Sequence, residues 1–349
     1  MQKEQRSKYQ AVQQIGMRLL FVYVTAVILV FFSEKSYWYI QGFDILGPAL
    51  FYFFPTAIFL WSIEQFHVRR LGPLFLSAAL YGFLVEGILA PILYQDGLFG
   101  WFHVSYTSLA WHAPLSVMFG FYFLRQWLLQ ANWRWLFSGS AAFGLLWGIW
   151  SLTFWLPENV NDADLLAEGF DLGIWSVGKF ALFAFTITLV LALAHWLIGY
   201  FWQKHFSPGK VELGGILLFL AGYFVYGVII PFPVAWVKLP LLLGIVWLGL
   251  RNGRKQESAP SLFVQLQGKI PITRLLPLLL MPLTALIIYA AALQLQPSET
   301  VLRDLIYTPI VFVQTAFGWL FFLWGLWVTI RPLRTASPSH HSEAENAMR

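Results

Sequence analysis

Long apolar runs recur along the whole chain, and RLLFVYVTAVILVFF at residues 18–32 is one of the clearest. A helix needs about 20 apolar residues to cross a bilayer, and backbone groups in lipid must be bonded within the protein. About ten runs reach this length. They lie near residues 15–32, 45–63, 71–94, 105–129, 135–156, 172–202, 212–230, 233–250, 273–293 and 305–330. The sequence therefore predicts an all-α fold, a polytopic integral membrane helix bundle of about ten transmembrane helices.

The composition supports lipid as the solvent. Of the 349 residues, 58% are hydrophobic and 11% are charged, against roughly 25% charged residues in soluble domains. The absence of cysteine excludes disulfides, thiolate ligands and cysteine nucleophiles. Membrane proteins collect Lys and Arg in cytoplasmic loops, which explains the net charge of +5. We expect the lipid bilayer as a partner and no nucleic acid.

The distribution of basic residues predicts the orientation. If both termini are cytoplasmic, nearly all Lys and Arg lie in inner segments, and only Lys35 and Arg303 fall in outer loops. The acidic loop PENVNDADLLAEGFD, residues 157–171, then lies outside. We expect a multi-pass protein of the plasma (inner) membrane.

The apolar runs and the basic residues together predict three parts of the chain. Residues 1–14 form a cytoplasmic N-terminal tail, residues 15–330 a single transmembrane helical domain, and residues 331–349 a flexible cytoplasmic tail. The loop 251–274 is also expected to be flexible. The runs 212–230 and 233–250 are joined by Pro231-Phe232-Pro233, so they are either two crossings or one re-entrant pair.

Ionisable residues inside the apolar runs are the strongest functional signal. A carboxylate such as Glu86 costs about 2.5 kcal/mol or more in hydrocarbon, so it needs a partner or a function. Helical rise places Glu86 about 12 Å, His112 about 9 Å, Lys179 about 10 Å and Lys238 about 7–10 Å from the outer boundary. Four helices thus carry an ionisable residue at one level.

The faces of two consecutive helices support a shared site. Ser108, His112, Ser116 and Gly120 repeat at i+4, as do Gly82, Glu86 and Ala90, and small residues allow helices to approach closely. We predict a polar cavity that opens outward or sideways to lipid. Glu86 and His112 are its predicted catalytic acid and base, and its predicted substrate-binding residues are Lys179, Lys238, Gln314 and Tyr226.

Structural interpretations remain open for the same residues. Glu86 with Lys179 or Lys238 can be a neutralised pair that holds helices in register. His112 can be a hydrogen-bonded packing residue, and Lys238 can extend to the interface. No HExxH signature occurs, so no metal site is predicted, and the sequence names no cofactor.

Three functions fit these observations. The first is a membrane-embedded enzyme that acts on a lipid-linked or isoprenoid anionic substrate. The second is a transporter in which two sets of five helices have inverted topology, because Glu86 is followed by Pro91 and Lys238 by Pro240 in corresponding spans. The third is a noncatalytic subunit or assembly factor of a membrane complex.

Overall fold

The computed structural model describes residues 2–36, 44–161, 174–253 and 261–331. It is 84% helix, with no strand among the described residues. This confirms the all-helical fold. Three predicted segments lie partly outside the described residues: residues 332–349 of the tail 331–349, residues 254–260 of the flexible loop and residues 162–171 of the acidic loop.

The long helices are numbered here in chain order. They are α1 (Gln2–Val30), α2 (Leu46–Gln65), α3 (Leu71–Leu84), α4 (Val104–Phe123, continued by Leu124–Gln130), α5 (Trp133–Ser151), α6 (Val177–Phe201), α7 (Lys210–Tyr223), α8 (Ala235–Gly253), α9 (Leu280–Leu295) and α10 (Thr308–Ile330). Turns wider than those of an α-helix extend several of these helices. Wide π-helical turns follow α1 (Phe31–Lys35), α3 (Val85–Leu89) and α7 (Phe224–Ile229), another precedes α10 (Val301–Tyr307), and α4 is π-helical over Val104–Phe123.

Eight helices are long and apolar enough to cross a membrane, which makes the chain a multi-pass membrane protein. They cover Val12–Lys35, Leu46–Gln65, Leu71–Leu89, Trp133–Trp155, Val177–Phe201, Lys210–Ile229, Ile272–Leu295 and Val301–Ile330. The two remaining predicted spans fold as α4 and α8, which are not among these eight. The count of ten therefore stays a prediction. The predicted tail 1–14 is largely helical, since α1 begins at Gln2.

Helix α3 lies at the centre of one half of the bundle. It packs against α2, α4, α8 and α10, and 89% of the residues in its apolar stretch, within Leu71–Leu89, are buried. A polar side chain on α3 is therefore enclosed by protein, not lipid. Helix α1 joins this half to the other, in which α6 and α5 both pack against α9.

Consecutive long helices run in opposite directions, so the loops fall into two groups. Near Asp96, the loop after α3 meets α8 through Lys238. At the opposite end, Arg125 of α4 donates hydrogen bonds to the carbonyls of Leu266 and Gly268, both at 2.9 Å, in the segment before α9. We call these the Asp96 end and the Arg125 end.

Candidate active site

The helix that carries Glu86 changes its geometry there. After Leu84, α3 widens into a π-helical turn over Val85–Leu89, and Pro91 then ends it, because proline disfavours helical geometry in the preceding residue. The hydroxyl of Tyr94 donates a 2.6 Å hydrogen bond to the carbonyl of Gly87, which the helix end would otherwise leave unpaired. Wide turns of this kind occur frequently at functional sites.

Glu86 and His112 are brought into direct contact. His112 Nε2 and Glu86 Oε1 lie 2.5 Å apart, and the two residues are 3% and 4% exposed. The short connection between α3 and α4 makes the helices neighbours. The Glu86 Oε2 and His112 Nδ1 atoms have no hydrogen-bond partner among the described residues. These two buried atoms are the ones available to a bound molecule.

A second carboxylate, Glu34, belongs to the same cluster. It lies in the π-helical turn after α1 and accepts a hydrogen bond from the Tyr52 hydroxyl of α2. The rings of Tyr52 and His112 have centroids 6.4 Å apart, so Glu34 and Tyr52 lie beside the Glu86–His112 contact. Tyr81 completes the group, with its ring 5.8 Å from His112.

Contacts with α4 hold the turn that carries Glu34. Trp111 donates a 2.6 Å hydrogen bond from Nε1 to the carbonyl of Phe32, and the Ser36 hydroxyl donates to the same oxygen at 3.0 Å. Trp111 precedes His112 in α4, so one helix supports both the turn of Glu34 and the partner of Glu86. The positions of the two carboxylates are thereby coupled.

A cavity of about 480 Å³ reaches this cluster from the Asp96 end. It is formed by the end of α1, the start of α2, the end of α3 and α7. Its lining residues are Glu34, Asp44, Gly47, Pro48, Phe51, Tyr52, Leu89, Ala90 and Tyr223. Asp44 accepts hydrogen bonds from the backbone N–H groups of Leu46 and Gly47 and so caps α2. Glu34 is the lining acid that is not used as a helix cap.

The expected partner of Glu86 is corrected by this geometry. Glu86 contacts His112, whereas Lys238 Nζ donates to Asp96 at 2.7 Å and to the Gly97 carbonyl at 2.8 Å. Depth alone led to the lysine expectation, and depth does not say towards which neighbour a side chain is directed. Lys238 is 3% exposed and is neutralised at the Asp96 end.

The groups around Asp96 determine the pKa of its carboxyl. Burial raises the pKa of its carboxyl, but hydrogen bonds from Lys238 Nζ and the His103 N–H, with the charges of both residues, outweigh burial. The pKa of Asp96 is therefore held below its ordinary value. The loop that closes over α3 is thus tied to α8 by an ionised pair.

The other predicted binding residues lie in separate surroundings. Lys179 Nζ is 4.3 Å from the centroid of the Trp175 ring, near the start of α6. Gln314 lines an apolar groove of about 570 Å³ between α4, α5 and α10. Tyr226 is 79% exposed. The structure brings Glu86 and His112 together but does not place these three residues in the cavity beside them.

Sequence reasoning missed Glu34 and Tyr52 as site residues. Glu34 follows the first apolar run directly, in FFSEKS, and was expected in an outer loop. The apolar run ends before Glu34 and gives no signal for it. In the structure the π-helical turn Phe31–Lys35 follows α1 and carries Glu34 inside the bundle, and the Ser33 hydroxyl in this turn donates to the Leu29 carbonyl at 3.0 Å.

The cluster can donate and accept protons in a site largely closed to water. Among the described residues, no group of three or more His, Cys, Asp or Glu side chains is arranged to hold a metal ion. A His–Glu pair at hydrogen-bond distance, with a second carboxylate nearby, is suited to general acid–base catalysis. A comparison of the sequence with family models, curated proteins and solved structures finds no match.

Proposed function

We propose that this protein is a membrane-embedded enzyme that transfers protons on a lipid or isoprenoid substrate. The observation that carries the proposal is the buried contact of His112 with Glu86, next to a cavity lined by Glu34. Glu86 orients His112 and shares its proton, and Glu34 with Tyr52 provides a second donor or acceptor at the cavity wall.

The cavity wall favours an apolar substrate. Phe51, Pro48 and Leu89 line it together with the two acids. Small-molecule sites commonly combine such apolar walls with a few polar groups that fix orientation. A chain of the kind found in isoprenoids would lie against these side chains, with its reacting carbon or oxygen near Glu34.

The residues that line the cavity argue against an anionic reacting group. The anionic substrate expected from sequence relied on Lys179 and Lys238, and these lysines contact Trp175 and Asp96 instead. The described cavity lining has Glu34 and Asp44 as its charged residues. The described lining offers no basic side chain to an anionic head group, so we propose a substrate without one.

The test compares lipid extracts from cells that produce the wild type or Glu86→Gln. We expect at least one lipid or isoprenoid species to change in abundance with the wild type. Glu86→Gln should reduce this change by about 100-fold or more, the usual contribution of general acid–base catalysis. The midpoint of thermal unfolding, measured in detergent for both proteins, shows whether a loss of activity merely reflects unfolding.

Glu64→Gln is the matched control. Glu64 lies at the Arg125 end of α2 and pairs with His205 at 3.0 Å, away from the cavity. It should retain the wild-type lipid profile. Identical profiles for the wild type and Glu86→Gln, with both proteins folded, would contradict the proposal.

The geometry of the helices weakens the transporter alternative. The turn that carries Glu86 ends at Leu89, but α8 continues without interruption from Ala235 through Pro240 to Gly253. Two broken helices in corresponding positions are expected around a transporter site. Only the first of the two has this form, so the enzyme remains the better-supported proposal.

A further inference from the structure

A second polar layer lies one helical turn below the acid–base cluster. The rings of Tyr52 and Tyr81 have centroids 6.3 Å apart, and that of Tyr81 is 5.8 Å from His112. These three residues therefore mark one level on α2, α3 and α4. Helix α3 runs opposite to its two neighbours. One turn towards the Arg125 end leads from Tyr52 to Thr56, from Tyr81 to Ser77 and from His112 to Ser116.

The three hydroxyl groups at this lower level are buried and unbonded. Thr56, Ser77 and Ser116 are each 0% exposed, and their hydroxyl oxygens have no hydrogen-bond partner among the described residues. A buried hydroxyl without a partner costs about 1–3 kcal/mol. Three of them on three helices at one level therefore require an explanation.

Other buried hydroxyls in this bundle show the usual solution. Thr25 donates to the Phe21 carbonyl at 2.8 Å and Thr188 to the Ala184 carbonyl at 2.7 Å, four residues back in the same helix. Ser and Thr inside helices can satisfy their hydroxyls in this way. The hydroxyl of Thr56, in contrast, is not satisfied by its own helix.

We propose that Thr56, Ser77 and Ser116 bind internal water, which extends the acid–base cluster one turn into the bundle. Buried waters typically make about three hydrogen bonds to polar groups that are otherwise unsatisfied. Three hydroxyls at one level on three helices would supply that number. The unpaired Nδ1 of His112 lies one turn above them in α4. This inference rests on the proposed function: the water exchanges protons with the Glu86–His112 pair.

The test uses the sign of a stability change. Thr56→Val replaces the hydroxyl with a methyl group of similar shape. If the layer binds water, the variant loses those bonds, and the midpoint of thermal unfolding in detergent should fall by about 3 °C. If the layer is dry, removal of an unbonded hydroxyl should leave the midpoint unchanged or raise it, and the proposal is overturned.

Thr315→Val is the matched control. Thr315 of α10 is 2% exposed and its hydroxyl is also unpartnered among the described residues, but it is not in this layer. Its midpoint should stay the same or rise. An equal fall in both variants would refute a site specific to the layer.

A double-mutant cycle tests whether the hydroxyls share the water. After Thr56→Val has disrupted it, Ser77→Ala should cost less than it does in the wild type, because the shared bonds are already lost. Strictly additive shifts would overturn the shared site. These stability readouts do not depend on activity, whereas loss of the proposed function would appear in the lipid profiles of the Glu86 variant.

Discussion

At the level of single residues, the bundle separates two kinds of buried charge. Lys238 is paired with Asp96 and holds a loop against α8. Glu86 is paired with His112, and its other carboxylate oxygen has no partner within the described part of the chain. A satisfied pair is sufficient for structure, whereas an unsatisfied buried oxygen is expected where a molecule has to bind. This contrast supports the proposal that Glu86, and not Asp96, takes part in the chemistry.

Asp96→Asn should destabilise the protein. The change leaves the ammonium group of Lys238, which is 3% exposed, without its countercharge. Removal of one partner of a fully buried pair costs about 3–5 kcal/mol, and Asp96 retains some contact with water, so we expect about 1–3 kcal/mol. The midpoint of thermal unfolding at pH 7 measures it.

The pH dependence of this difference provides a further check. Because the folded pKa of Asp96 is lowered, its stabilisation is complete above the unfolded pKa of about 3.9 and is lost as the pH falls through the folded value. The gap between the unfolding midpoints of wild type and Asp96→Asn should persist above about pH 5 and close as the pH falls through the folded pKa of Asp96. The exposed pair of Arg303 and Glu299 is the control, and Glu299→Gln should leave the midpoint of thermal unfolding nearly unchanged.

The contact of Glu86 with His112 was within reach of sequence reasoning, but its completion by Glu34 was not. A short connection places α3 and α4 side by side, and matching depth then brings the two residues together. Glu34 depends on a π-helical turn that extends α1 beyond its apolar run. Hydrophobicity does not reveal such a turn, because it is set by contacts with α4 such as that of Trp111 with Phe32.

At the level of helices, α3 and α4 meet at a glycine. A Cβ atom added to Gly82 would lie 2.6 Å from the backbone oxygen of Ser108. Backbone cannot move aside as a flexible side chain can. The close approach at Gly82 therefore sets the spacing of the two helices that hold Glu86 and His112.

Gly82→Ala should separate these helices and destabilise the protein by about 3 kcal/mol. Activity should fall together with stability, because His112 would move away from Glu86. Thermal unfolding and the lipid-profile assay measure the two effects.

Gly214→Ala is the control for helix propensity. Nothing lies within 4 Å of a Cβ at Gly214 in α7. Alanine there should be neutral or stabilise the protein by about 0.5–1 kcal/mol. A neutral Gly82→Ala would show that the close approach is not required.

The apolar runs predicted where the helices lie in the sequence, but not which face of each helix contacts which neighbour. Length and hydropathy predicted α1 to α10, because lipid requires long helices whatever they pack against. They did not predict that Lys179 would lie against Trp175, or that Tyr226 would be exposed. The rotation of each helix about its axis depends on its neighbours, and one sequence shows only the position along the axis.

At the level of the whole molecule, the remaining question is which end faces the cytoplasm. The basic residues predict that the Arg125 end does. Since the native chain has no cysteine, single cysteines report without background. Asn161→Cys should react with a membrane-impermeant thiol reagent in intact cells, and Gln267→Cys only after lysis. The reverse pattern would invert the orientation.

If α4 crosses the bilayer as predicted, the Glu86–His112 pair would also sense the membrane voltage. His112 lies eight residues into α4, so with the start of α4 at the surface of a hydrocarbon core about 30 Å thick it would lie roughly 10 Å deep. A proton that reaches the pair from the Asp96 end crosses about a third of the electric field, equivalent to roughly 0.8 kcal/mol per 100 mV. Occupancy of the pair by a proton would then change about fourfold when an energised membrane is discharged, so the reaction rate would report the energetic state of the cell.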